Sequence, residues 1–195
     1  MSCLLCTDGS SLLATVFSGF PERLRSHGVR IGTVAGIMAR YVGHSAIPGG
    51  MEPAEYQNAV RYGGLYHDIG AYLAFNDYQD YPAAGARFLS QELPRHMIGP
   101  ENARIMIECV NPGRPVPPHA GICALAAAAD GFRSFASAQK YIERNTEAFT
   151  PEAVRCFRAA QEEIAELYKK WRKHPPLCTR RDAAPLYKTI DRPFG

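Results

Sequence analysis

Leu65-Tyr66-His67-Asp68-Ile69-Gly70 closes a segment whose inward positions recur every three or four residues. Counting back from His67, one face holds Gly63 or Gly64, Val60 and Tyr56, which predicts a helix opening near Glu52-Pro53 and ending at Gly70. The same rhythm lies upstream. Leu24, His27, Ile31, Val34, Met38 and Tyr41 step alternately by three and four, with Pro21 suited to the first turn and Gly43 to the exit. Both helices therefore turn a histidine towards their apolar side.

Downstream, Pro82 opens a helix with Ala86 and Leu89 on its inner face, and a short helix is expected from Pro100 to about Val110. The run from Asn111 to Pro118 carries too many prolines to be helix interior. A long Ala-rich helix is expected from about His119 to Ser137. Thr150-Pro151-Glu152 supplies a cap, a proline and an acid for the last helix, which runs to about Lys173. Strand signal is weak throughout. The expectation is an all-α single-domain bundle of six or seven helices over residues 20–173, with an N-terminal segment, 1–19, and an extended C-terminal tail, 174–195.

Length and composition agree with that reading. A chain of 195 residues with 46% hydrophobic and 21% charged side chains has material for one ordinary core. Its 22 basic and 19 acidic residues leave a formal charge of only +3. That is little for a protein that binds nucleic acid or a membrane surface through a broad positive face, and no apolar run is long enough to cross a bilayer. The apolar start at Met1–Leu5 lacks a basic flank and meets Asp8 at once, so the expected setting is cytoplasmic, with reduced thiols. Cys109, Cys123 and Cys156 sit in apolar helical stretches and read as small hydrophobes. Cys3-x-x-Cys6 and His174-x-x-x-Cys178 have spacings compatible with a zinc clip between the termini or with unpaired end thiols.

The chemistry concentrates in His27, His67, Asp68 and Asp130, the last on a helix face with Ile122 and Ala126. Three separate helices each present an imidazole or a carboxylate inward. Two imidazoles and two carboxylates suit one divalent transition ion such as Fe, Mn, Zn, Co or Ni. Spacing alone leaves a second reading open, in which the histidines are hydrogen-bonded core residues and the aspartates serve helix ends. Arg30, one turn after His27, is the candidate for holding a substrate phosphate, or else a solvated surface arginine. His44, His96 and His119 lack partners at metal spacing and read as surface or loop residues.

The order of these residues resembles the HD superfamily of metal-dependent phosphohydrolases. Ser26-His27-Gly28-Val29-Arg30 is similar to the family's first-histidine helix, Tyr66-His67-Asp68-Ile69-Gly70 to its HDIG signature, and Ala126-Ala127-Ala128-Ala129-Asp130 to its last-ligand helix. The resemblance spans roughly residues 20 to 170. It implies an HD-like helical fold in which His27, His67, Asp68 and Asp130 bind one divalent metal. It also implies a water activated for attack on phosphorus, with Asp68 accepting a proton. The expected substrate is a nucleotide or other small phosphate ester.

Tyr81-Pro82-Ala83-Ala84-Gly85 and Phe149-Thr150-Pro151-Glu152 extend the likeness towards the HD-GYP branch, which hydrolyses cyclic di-GMP in bacterial signalling with more than one metal. There the chain departs from the pattern. Ala71 stands in place of the branch's phosphate-holding lysine, Tyr81 in place of a histidine, and Cys109-Val110 near where a His-His pair belongs. The sequence thus supports a single-metal phosphohydrolase, with a catalytically degenerate HD-GYP-like module that binds a nucleotide or protein partner as the alternative.

Overall fold

A computed structural model describes Gly19, residues 21–73, 81–96 and 98–173. Eight α-helices occur among them, with no strand: α1 (Glu22–Ala39), α2 (Pro53–Leu65), α3 (Ile69–Leu73), α4 (Tyr81–Glu92), α5 (Pro100–Val110), α6 (Pro118–Asp130), α7 (Phe135–Arg144) and α8 (Pro151–Lys173). Seven have ten residues or more, and α3 is a single short turn of five. The all-α expectation holds. None of the described helices is long and apolar enough to cross a membrane.

Glycine sets the closest packing in the bundle. A Cβ on Gly32 would lie 2.6 Å from the Arg61 carbonyl oxygen, and one on Gly64 would lie 3.0 Å from the Gly32 Cα. The backbones of α1 and α2 therefore touch where larger residues would hold them apart. Arg61 lies against both Gly36 and Gly32, and Leu65 against Gly32, so the two helices run antiparallel. Continued past Leu65, this register brings the chain alongside the Arg30 level of α1, one turn from His27. The helix cost of the Gly63–Gly64 pair, about 1 kcal/mol each, is set against two close approaches, Gly64 to Gly32 of α1 and Gly63 to Cys109 of α5.

The α2 helix stops earlier than the sequence pattern suggests. It ends at Leu65, Tyr66 takes φ −100° and ψ 7°, and residues 66–68 form a turn before α3 starts at Ile69. His67 and Asp68 thus lie in a turn and not on a helical face. Gly70 is required here because a Cβ would fall 1.7 Å from the Tyr81 carbonyl oxygen, at the start of α4.

The Ala-rich helix also differs from expectation. It breaks after Asp130, and Ser134 starts a new helix by accepting from the Ser137 amide at 3.3 Å. A serine followed by an amphipathic stretch outcompetes continuation past Gly131. By contrast, α8 opens as expected, with the Thr150 hydroxyl accepting from the Ala153 amide.

The main core gathers Ile31 and Met38 of α1, Tyr56 of α2, Ile122 of α6 and Phe157 of α8. A second cluster packs Val29, Tyr66, Ile69, Leu89 and Leu93. Each such fully buried aliphatic or aromatic side chain contributes about 1.5–3 kcal/mol. Cys109, Cys123 and Cys156 are buried free thiols, as their apolar settings predict. The Cys3, Cys6, His174 and Cys178 set lies outside the described residues.

Candidate metal centre

The first turns of α1, the α2–α3 turn and the last turn of α6 converge. There the structure brings His27, His67 and Asp68 together, with one ligand atom from each within 4.8 Å of the others. The imidazole centroids of His27 and His67 are 5.2 Å apart. The Asp68 carboxylate reaches both rings: Oδ2 is 3.4 Å from His27 Nε2, and Oδ1 is 3.2 Å from His67 Nε2.

Each ring is held from behind. His67 Nδ1 lies 3.2 Å from the Gly64 carbonyl oxygen. A carbonyl can only accept, so Nδ1 carries the proton and donates it. In a neutral ring, Nε2 then keeps a lone pair directed into the centre. Burial drives the His67 pKa down despite the opposing pull of Asp68. Its Nε2 faces the Asp68 carboxylate at 3.2 Å.

His27 is held differently. Its Nδ1 lies 2.7 Å from Asp130 Oδ2. The hydrogen bonds to Asp130 and then Asp68, opposed by burial, raise its pKa from 6.5 to about 9. Without a metal, His27 is an imidazolium bridging two carboxylates. Burial pushes the Asp68 carboxyl up, but its hydrogen bond to His27 and the neighbouring imidazoles more than reverse this, leaving its pKa lowered. Asp130 behaves in the same way, with His27 and Arg30 overcoming its burial.

Asp130 stands one step behind the other three. Its side chain is only 8% exposed, and it accepts from Arg30 twice, from Nε at 2.5 Å and from an Nη at 2.8 Å, as well as facing His27. A buried carboxylate with this many partners can remain ionised. Of the four expected ligands, three are gathered and the fourth orients one of them. Arg30 is partly buried at the edge of the same centre, tied to Asp130. The shared inward face of Ile122, Ala126 and Asp130 holds: both apolar residues are fully buried.

A second histidine–carboxylate pair escaped the sequence. His119, expected at the surface, is 3% exposed. Its Nε2 is 2.6 Å from Glu108 Oε2, and Arg104 donates to both oxygens of the same carboxylate at 2.9 Å. The two partners lie on α5 and α6, on either side of the proline-rich connection, with no spacing rule to link them. His44 is exposed, as expected.

Tyr81 is exposed at the start of α4, and Ala71 is exposed in α3. Cys109 and Val110 are buried in the two core clusters, where neither offers a ligand to the His27 centre. Comparison with protein-family models, with curated proteins and with solved structures finds no match for this chain.

Proposed function

We propose that the chain is a metal-dependent phosphohydrolase of the HD type, acting on a nucleotide or another small phosphate ester. The observation that carries this reading is the convergence of His27, His67 and Asp68, with one ligand atom from each within 4.8 Å of the others. The donor set of two imidazoles and a carboxylate suits a borderline divalent ion. Motif order supports the same reading, since His27, His67-Asp68 and Asp130 fall in the HD sequence.

His27, His67 and Asp68 would hold the ion, and Asp130 either joins them or fixes His27 from behind. When bound, such an ion lowers the pKa of a water molecule and polarises a phosphoryl oxygen. The protein's own groups do the rest. Gly64 and Asp130 fix both rings with Nε2 facing inward, which is the role of hydrogen-bond partners behind ligating histidines. Asp68 is the nearest carboxylate to accept a proton during attack on phosphorus. Arg30 stands where it can turn towards a phosphate while remaining anchored to Asp130. Because Cys109 and Val110 lie in the core, one ion fits this site better than a cluster.

A specific observation also favours the non-hydrolytic alternative. Ala71, exposed one residue past Gly70, offers no cation to a phosphate. The test is a screen of nucleotides and simple phosphomonoesters with added Mn, Fe or Zn. Turnover that disappears on chelation supports the hydrolase. Nucleotide or cyclic di-GMP binding without turnover in any metal supports the binding module.

A further inference from the structure

Asp130 holds both His27 and Arg30, yet it is the last residue of α6, where a helix ordinarily frays. The last four carbonyls of a helix have no partner within it. Here two of them are taken up by the turn that follows. The Gly131 amide donates to the Ala128 carbonyl at 3.3 Å, and the Phe132 amide donates to the Ala129 carbonyl at 3.2 Å. Both are long for N–H···O bonds. A shorter bond comes from another element. The Tyr168 hydroxyl of α8 donates to the same Ala129 carbonyl at 2.7 Å, across 39 positions of sequence. A carbonyl only accepts, so the phenol supplies the proton.

Tyr168 is itself fixed. Its side chain is buried. The ring meets Phe135 of α7 edge-on, with centroids 6.0 Å apart, and lies 5.7 Å from the ring of Trp171. Such contacts favour one orientation of the ring. Burial holds the phenol pKa well above its ordinary value, with the Asp130 carboxylate adding to the effect and Arg30 opposing it, so the hydroxyl keeps its proton. Arg30, Asp130 and Tyr168 also line one cleft between α6 and α8. The hydroxyl is thus bound to the carbonyl one residue before the carboxylate that orients His27.

We infer that Tyr168 is a positioning residue for the His27 centre: its hydroxyl, bound to the Ala129 carbonyl, fixes the end of α6 and with it the Asp130 carboxylate behind His27. The line of contact runs from α8 through one carbonyl and one carboxylate to one imidazole. A fixed partner behind a ligating histidine sets the direction of its other nitrogen. The inference rests on the reading above for the use of that nitrogen in holding an ion. The placement of the ring does not depend on it.

The test uses the full chain and two conservative variants, Tyr168→Phe and Tyr56→Phe, each of which removes one hydroxyl from a buried ring. The Tyr56 hydroxyl has no hydrogen-bond partner among the described residues, so its loss is the control. The readout is proton NMR of the imidazole N–H signals at one fixed pH, after metal is stripped with EDTA. Two protons are followed: His27 Nδ1–H, held by Asp130 at 2.7 Å, and His119 Nε2–H, held by Glu108 at 2.6 Å. Tyr168→Phe should move or broaden the His27 signal and leave that of His119 in place. Tyr56→Phe should leave both. A His27 signal unmoved in Tyr168→Phe overturns the inference. So does displacement or loss of both signals together, which marks a general packing role. With metal restored, Tyr168→Phe should weaken binding about two- to tenfold in chelator competition, and Tyr56→Phe should not. The two readings fail separately. A chain that binds no ion, but whose His27 signal alone responds to Tyr168→Phe, keeps the positioning and removes the hydrolase. Metal-dependent turnover of a phosphomonoester with an unmoved His27 signal keeps the hydrolase and removes the positioning.

Discussion

Among the described residues, histidine is paired with carboxylate in two places, and the two are built to opposite ends. At the His119–Glu108 pair, one carboxylate takes a hydrogen bond from a buried imidazole and two from Arg104, so its oxygens are spent within the protein. At the His27–His67–Asp68 centre, the outer nitrogens are spent on Asp130 and Gly64, and the inner nitrogens converge on a single carboxylate. The first arrangement closes on itself and pins α5 to α6. The second turns two imidazole nitrogens and one carboxylate towards a common point. Both use imidazole and carboxylate, and they differ in where those groups face.

The sharpest way to break this comparison is to exchange the roles. Asp68→Asn should reduce hydrolysis about 10²–10⁴-fold by removing a proton acceptor and a ligand. His119→Gln should leave turnover within about twofold. Steady-state assays on both variants with excess metal compare them directly, and a large loss in His119→Gln would erase the distinction.

Next in size is the support behind His27. Asp130→Asn keeps the shape but loses the charge that holds both His27 and Arg30. Metal affinity should fall about 10–100-fold, measured by competition with a chromophoric chelator. An unchanged affinity would make Asp130 a packing residue only.

The closed pair should act on stability instead. Glu108→Ala leaves His119 buried without its acceptor and Arg104 without part of its anchor. Because Glu108 is partly exposed, the cost should be about 1 kcal/mol, read from the urea midpoint, with metal content unchanged.

The smallest effect is on pH dependence in the metal-stripped chain. The His27 pKa is raised to about 9 by Asp130 and Asp68, so its contribution is complete below pH 6.5 and is lost as pH rises through about 9. The His119 pKa is lowered by burial, which outweighs the pull of Glu108, so its contribution is present above pH 6.5 and declines as pH falls below that value. NMR titration of the two imidazole resonances should show them moving in these opposite directions.

Much of this was legible in the sequence because it is local. Steps of three and four place His27 with Ile31 and Val34, and Ile122 and Ala126 with Asp130, whatever the remainder of the chain does. Proline openings at 53, 100 and 151 mark helix starts for the same reason. What was not legible depends on contact between distant segments. The glycine contact between α1 and α2, which sets His67 beside His27, involves Gly32 and Gly64, and nothing at either position alone announces the other. The same holds for His119 and Glu108, and for Arg30, whose partner lies a hundred positions away. The break after Asp130 was missed because an alanine run masks the competing cap at Ser134.

The account turns on a cation between His67 and Asp68. The most direct measurement is elemental analysis of the purified full chain beside its His67→Ala variant, each after dialysis against limiting Mn, Fe or Zn. One transition-metal ion per chain in the first and none in the second is the predicted result. A wild-type chain that retains no metal, and whose thermal midpoint is unmoved by any of the three ions, would contradict it.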